Sequence, residues 1–135
     1  MLPEATYHFW QSPKVVIIMP SDNALLELSI ELAIAAVELS DSVKVPKSSY
    51  MLDQFARSAT SVGANIHEAQ YAQGRRDFIS KLEIALKEAN ESAYWLKVML
   101  KTKRITPDQF NSLEILCGRV KRVLISSCRT AKDKL

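Results

Sequence analysis

Glycine, histidine and cysteine are scarce in this chain: three, two and two among 135 residues. So few glycines leave no phosphate-cradling loop and no glycine-rich linker to divide the chain. The histidines and cysteines fall short of a structural zinc site, which needs more of them at close spacing. A di-iron bundle needs inward glutamates and Glu-x-x-His pairs, and here no Glu is followed by His at the third position. His8 lies in an irregular opening segment and His67 near the edge of an apolar helical stripe, where a lone His is more often structural than catalytic. No catalytic constellation emerges, and the expectation is a protein without enzymatic activity, metal or cofactor. Apolar runs are short too: none approaches the ~20 residues a membrane-spanning helix requires.

Cys117 and Cys128 are eleven residues apart on one expected helix, which places them ~16 Å apart along its axis. They cannot bridge each other there. Both fall on that helix's apolar face, as small buried hydrophobes would. Unpaired cysteines point to a reducing, cytoplasmic setting. Residues 1–20, MLPEATYHFWQSPKVVIIMP, hold three prolines and an apolar run, Val15–Met19, too short for a secretion signal. They read either as an irregular arm, with Val15–Ile18 pairing as a short strand, or as an over-extended gene start with Met19 the true first residue. Residues 21–135 form the single domain.

Apolar residues are plentiful, at 47%, and charged ones make up 24%, the balance of a compact helical protein. The net charge of +3 hides an asymmetry. Residues 1–73 carry four basic side chains against eight acidic ones; residues 74–135 carry fourteen against seven. A basic half of this kind suits a phosphate backbone or an acidic partner, or pairs with the acidic half inside an oligomer.

The apolar spacing predicts four helices in an antiparallel up-down-up-down bundle, an all-α fold with short connections. The first starts at Ser21 or Asp22 as N-cap and ends near Ser40–Asp41. The second follows Pro46, with Ser48 or Ser49 as cap, and runs to about Gln70. The third opens after Gly74 and reaches about Lys103. The fourth has the clearest start: Thr106 as N-cap, Pro107 at the first helical position and Gln109 closing a capping box. It ends near Ala131.

Each helix has a main apolar stripe for the core: Leu25, Leu28, Leu32, Ala36 and Leu39 on the first, and Leu52, Phe55, Ala59, Val62 and Ile66 on the second. On the third it runs from Phe78 through Leu82, Ala85, Ala89 and Leu96, and on the fourth from Phe110 through Leu113, Cys117, Val120 and Leu124. Apolar residues are left over. Leu26, Ile30, Ala33, Ile34 and Val37 form a second stripe roughly opposite the first on helix one, and Ile84, Trp95 and Val98 lie on the outer side of helix three. A lone four-helix bundle cannot bury a helix on both sides. A homo-oligomer is expected, with Leu26, Ile30, Ile34, Val37, Ile84 and Trp95 at its contacts.

Helix two has a polar side. Arg57, Ser61, Ala64 and Glu68 lie opposite its main stripe, with Ser58 and Asn65 beside them. They make either a hydrogen-bonded seam that sets helix register or subunit contact, or a small polar ligand site around Arg57, Asn65 and Glu68.

The segments RSATSVGANIHEA (residues 57–69) and GRRDFISKLEIAL (residues 74–86), with Glu91 downstream, resemble the four-helix bundle proteins encoded in bacterial large-subunit rRNA intervening sequences. The family pattern is matched by Arg57, Ala59, Ser61, Ala64, Asn65, Ile66 and Glu68. Arg75, Arg76, Asp77, Phe78, Ile79, Leu82 and Ala85 continue the match. The likeness spans about residues 22–131, is most specific over 57–86, and adds Glu91 to the polar set. Ser58 replaces a second Arg, Gly63 sits mid-helix, and Ala69 stands where the family commonly turns with Gly, so helix two is expected to continue further than in relatives. The resemblance implies a closed bundle in a ring-like homopentamer without established enzymatic activity. It also implies kinship with accessory proteins of retroelements, which bind a reverse transcriptase and nucleic acid.

Basic residues supply the remaining functional candidates. Arg75 and Arg76 open helix three, where cations oppose the helix dipole. After residue 118, Arg119, Lys121, Arg122, Arg129, Lys132 and Lys134 face one acid, Asp133. Arg75, Arg76, Arg119, Arg122, Arg129 and Lys132 are the expected contacts to RNA or DNA within a ribonucleoprotein. The alternatives are solvated helix surface and a scaffold that meets an acidic protein. Aromatic stacking platforms are missing among these residues, so the expected binding is backbone-led and salt-dependent rather than base-specific.

Overall fold

A computed structural model describes residues 20–43 and 49–135. The opening arm, with His8 and the possible strand at Val15–Ile18, lies outside the described residues, as does Ser48. Four helices follow in order: α1 (Pro20–Ser42), α2 (Ser49–Ala69), α3 (Arg75–Lys101) and α4 (Pro107–Asp133). α1 begins at Pro20, ahead of the expected caps Ser21 and Asp22, because proline is suited to a first helical turn. α2 stops at Ala69, one residue before expectation, and the chain turns through residues 70–74.

α3 ends at Lys101 rather than Lys103 because the chain reverses into a left-handed cap. Lys103 has φ 60°, its N–H donates to the Leu100 carbonyl at 3.0 Å, and the Arg104 N–H donates to that of Met99 at 2.8 Å. Those paired bonds are a Schellman motif, normally built on glycine. α4 opens as expected: the Gln109 N–H donates to Thr106 Oγ1 at 3.1 Å, and the Thr106 N–H donates to Gln109 Oε1 at 2.9 Å. It continues two residues past Ala131.

Packing runs around a square: α1 lies against α2 and α4, and α3 against the same two, with no close backbone approach across either diagonal among the described residues. Leu25, Leu32, Phe55, Val62, Ile66, Phe78, Leu82, Leu96, Met99, Val120 and Leu124 fill the centre. The main stripes therefore meet as the spacing requires. Ile79, Ser92 and Met99 extend the buried face of α3, and Ser127 and Ala131 that of α4. Cys117 and Cys128 are buried free thiols; Cys117 Sγ donates to the Ala89 carbonyl at 3.3 Å. Burial pushes both thiols above their ordinary pKa.

The second stripe of α1 stays uncovered. Ile30 is 42% exposed, Ile34 53% and Val37 50%. Leu26 is half-buried. On α3, Ile84 is exposed, whereas Trp95 and Val98 are half-buried against the core. α1 and α3 sit at diagonal corners, so their uncovered faces open on opposite sides of the bundle.

Candidate nucleic-acid interface

The polar set of α2 divides along the α2–α3 contact. Arg57 reaches across to Glu88 at 3.3 Å and makes a close ion pair with Glu91, whose other oxygen accepts from Trp95 Nε1 at 3.3 Å. The hydrogen bond from Arg57 holds the Glu91 carboxyl below its ordinary pKa, and the same bond raises that of Arg57. Glu68 lies at the far end of α2 and pairs instead with Lys81 at 3.1 Å. Asn65 donates to the Ser61 carbonyl of its own helix at 2.8 Å. Arg57, Asn65 and Glu68 do not converge on a pocket. Ser58 is fully buried in the contact, where its hydroxyl donates to the Phe55 carbonyl and receives Ser92 Oγ at 3.0 Å. A serine fits this tight contact, where the family pattern carries a second Arg. Arg57, Ser58 and Glu68 cross to α3 as a seam between neighbouring helices, whereas Ser61 and Asn65 bond within α2.

The basic residues are gathered by topology. An up-down-up-down bundle brings the end of α2, the start of α3 and the end of α4 to one end of the molecule. There, a groove of about 460 Å³ opens between α3 and α4. It is lined by the apolar Leu86, Ile125 and Cys128 and by Lys87, Arg129 and Lys132 with Asn90, Glu83 and Asp133. Glu83 is engaged by Lys132 at 3.2 Å. Arg122, seven residues before Arg129 and exposed, continues this row along α4. Arg76 stands seven residues before Glu83, on the strip of α3 that leads to the groove. Arg119 is exposed on the outer surface of α4 and does not line it.

Arg75 is half-buried at the bundle end, and its Nη1 is shielded from solvent with no hydrogen-bond partner among the described residues. Four positions before it in the chain is an aromatic feature outside the sequence expectation. His67 and Tyr71 form an edge-to-face pair with centroids 5.4 Å apart and planes at 64°. Tyr71 was missed because it belongs to the turn rather than to a helix, although it lies only four residues before Arg75. Lys87 was missed because it is distant in sequence from α4. A residue count from the α3–α4 connection does not find it, since that count sets Lys87 opposite Lys121 rather than Arg129 or Lys132. Among the described residues, no group of three or more His, Cys, Asp and Glu is placed to hold a metal ion, and no helix is long and apolar enough to cross a membrane.

Comparisons with known proteins fit this architecture. The model of the family described as 23S rRNA-intervening sequence protein matches residues 21–126. A crystal structure of a protein of unknown function from the S23 ribosomal protein family of Bacteroides thetaiotaomicron VPI-5482 superposes with a TM-score of 0.77. It is 42% identical, over 81% of this chain and 98% of its own. No curated protein matches the chain.

Proposed function

The chain belongs to the 23S rRNA-intervening sequence protein family, and from that premise we propose that it is a non-enzymatic accessory factor that binds nucleic-acid backbone within a ribonucleoprotein. The observation that carries this reading is the convergence of Lys87, Arg129 and Lys132 on the α3–α4 groove, flanked by Arg122 and Arg76. Arg76, Arg122 and Arg129 make no ion pair among the described residues, so their charge is available to phosphates. The mixed lining favours contacts to phosphate oxygens over recognition of bases. The kinship to retroelement accessory proteins makes a reverse transcriptase complex in the cytoplasm the corresponding setting.

The uncovered faces of α1 and α3 support self-association. Their diagonal placement allows α1 of one copy to meet the Ile84 side of α3 of the next in a head-to-tail contact, which closes into a ring when the rotation allows. A homopentamer would repeat the groove on every subunit and multiply its field.

The test is RNA binding by wild type and by Arg122→Glu with Arg129→Glu, across a salt series and alongside light scattering. Wild type should bind with an affinity that falls steeply as salt rises. The double variant should lose binding and keep the mass of the wild-type oligomer. Unchanged binding would remove this row of α4 from the interface. Salt-sensitive capture of acidic proteins that RNA does not compete away would favour a protein-interaction scaffold instead.

A further inference from the structure

We infer that the α2–α3 corner holds an unpaired nucleotide of single-stranded nucleic acid, its base stacked on Tyr71 and its neighbouring phosphates on Arg75 and Arg76. The inference rests on the nucleic-acid reading above and adds the strandedness of the ligand.

Tyr71 is 41% exposed although its backbone is fixed. Its N–H donates to the Glu68 carbonyl at 3.0 Å, and the next residue, Ala72, is buried and bonded to Ala69. A ring carried on a fixed backbone has less freedom to lose when a base stacks on it, which favours a stacking platform. The edge-to-face pair with His67 orients the ring further. In such a pair one ring keeps both faces, and the other keeps one, uncovered by its partner. Space beside the turn is open: a Cβ added at Gly74 would meet nothing within 4 Å.

The charges around the ring favour an anion. Both carboxylates of the corner are occupied, Glu68 by Lys81 at 3.1 Å and Asp77 by the Gln73 N–H at 3.2 Å. Arg75 and Arg76 have no ion-pair partner among the described residues. Tyr71 lies four positions before Arg75, so their Cα atoms are at most ~14 Å apart even in a fully extended chain. That separation is within reach of a base and the phosphates on either side of it. A duplex, whose bases are stacked and paired, cannot offer a base to Tyr71.

The experiment compares an adenine-rich single-stranded RNA with a duplex of equal length, using wild type, Tyr71→Ala, Tyr71→Phe and the Arg122/Arg129 double variant. Binding is read by fluorescence anisotropy, and stacking by the quenching of one 2-aminopurine base. Tyr71→Ala should weaken single-strand binding about 5- to 100-fold and abolish the quenching. It should leave duplex binding within about twofold, and Tyr71→Phe should behave as wild type. Circular dichroism confirms that the exposed turn variant is folded. Equal loss on both ligands, or no loss with Tyr71→Ala, would overturn the stacking inference while the basic interface stands. A wild-type protein that binds neither ligand would overturn the nucleic-acid reading, and the stacking inference with it.

Discussion

Gly63 of α2 lies against Ser29 of α1 so closely that a Cβ added at Gly63 would stand 3.1 Å from Ser29 Oγ. Ser29 is fully buried, and its hydroxyl is tied to the Leu26 carbonyl at 2.6 Å, so it cannot turn aside without losing that bond. The glycine in the middle of α2 is thus explained by the approach of α1. Gly63→Ala should destabilise the fold by about 0.5–1 kcal/mol, because overpacking outweighs the gain in helix propensity. Adding Ser29→Ala removes the obstructing oxygen and should restore wild-type stability or better. Urea unfolding of the three variants gives the coupling. Additive losses would show that the contact does not limit the substitution.

Lys103 offers the opposite case, a non-glycine residue in a conformation that favours glycine. Lys103→Gly should raise stability by about 0.5–1 kcal/mol, since relief of the left-handed backbone exceeds the added freedom of the unfolded chain. A rise in the thermal midpoint would confirm it, and a fall would mean that the Lys103 side chain contributes to the cap.

The Arg57–Glu91 pair predicts a small acid-sensitive term. Because Arg57 lowers the folded-state pKa of Glu91, the contribution is fully present above the unfolded carboxylate pKa of about 4.3 and disappears as pH falls through the folded value. Both side chains are substantially solvent-exposed, so Glu91→Gln should cost no more than about 0.5–1 kcal/mol at pH 7. The gap between wild type and variant should close in acid, as read by denaturant midpoints over pH 2–8 (about the range of carboxylate titration). A gap independent of pH would assign the loss to packing around Trp95.

Ile30 and Ile34 separate assembly from folding. Replacing both with Lys should dissociate the proposed oligomer while leaving the helical circular dichroism intact, because both side chains already face solvent within the subunit. An unchanged mass in light scattering would take α1 out of the subunit contact.

Much of the bundle could be read from the chain, and the reasons are local. The capping box at Thr106 and Gln109 is complete within four residues, and the main stripes repeat within single helices, so short-range geometry decides them. The left-handed cap at Lys103 could not be read this way, because nothing in a lysine signals positive φ. The polar side of α2 was visible as a set, and the family resemblance added Glu91 to it, but Glu88 and Lys81 as partners were not. Arg57 and Glu68 sit on the same helix, yet each answers to a different part of α3.

The sequence by itself determined four amphipathic helices, their order and direction, and an apolar surplus on α1, since each follows from periodicity and short connections. Only the tertiary structure decided that Ser58 faces Ser92, that Gly63 admits Ser29, and that Lys87 joins Arg129 and Lys132 across one groove. Those relationships depend on the rotation and axial offset of one helix against another. Such variables are set by the packing of the whole core, and no single helix encodes them.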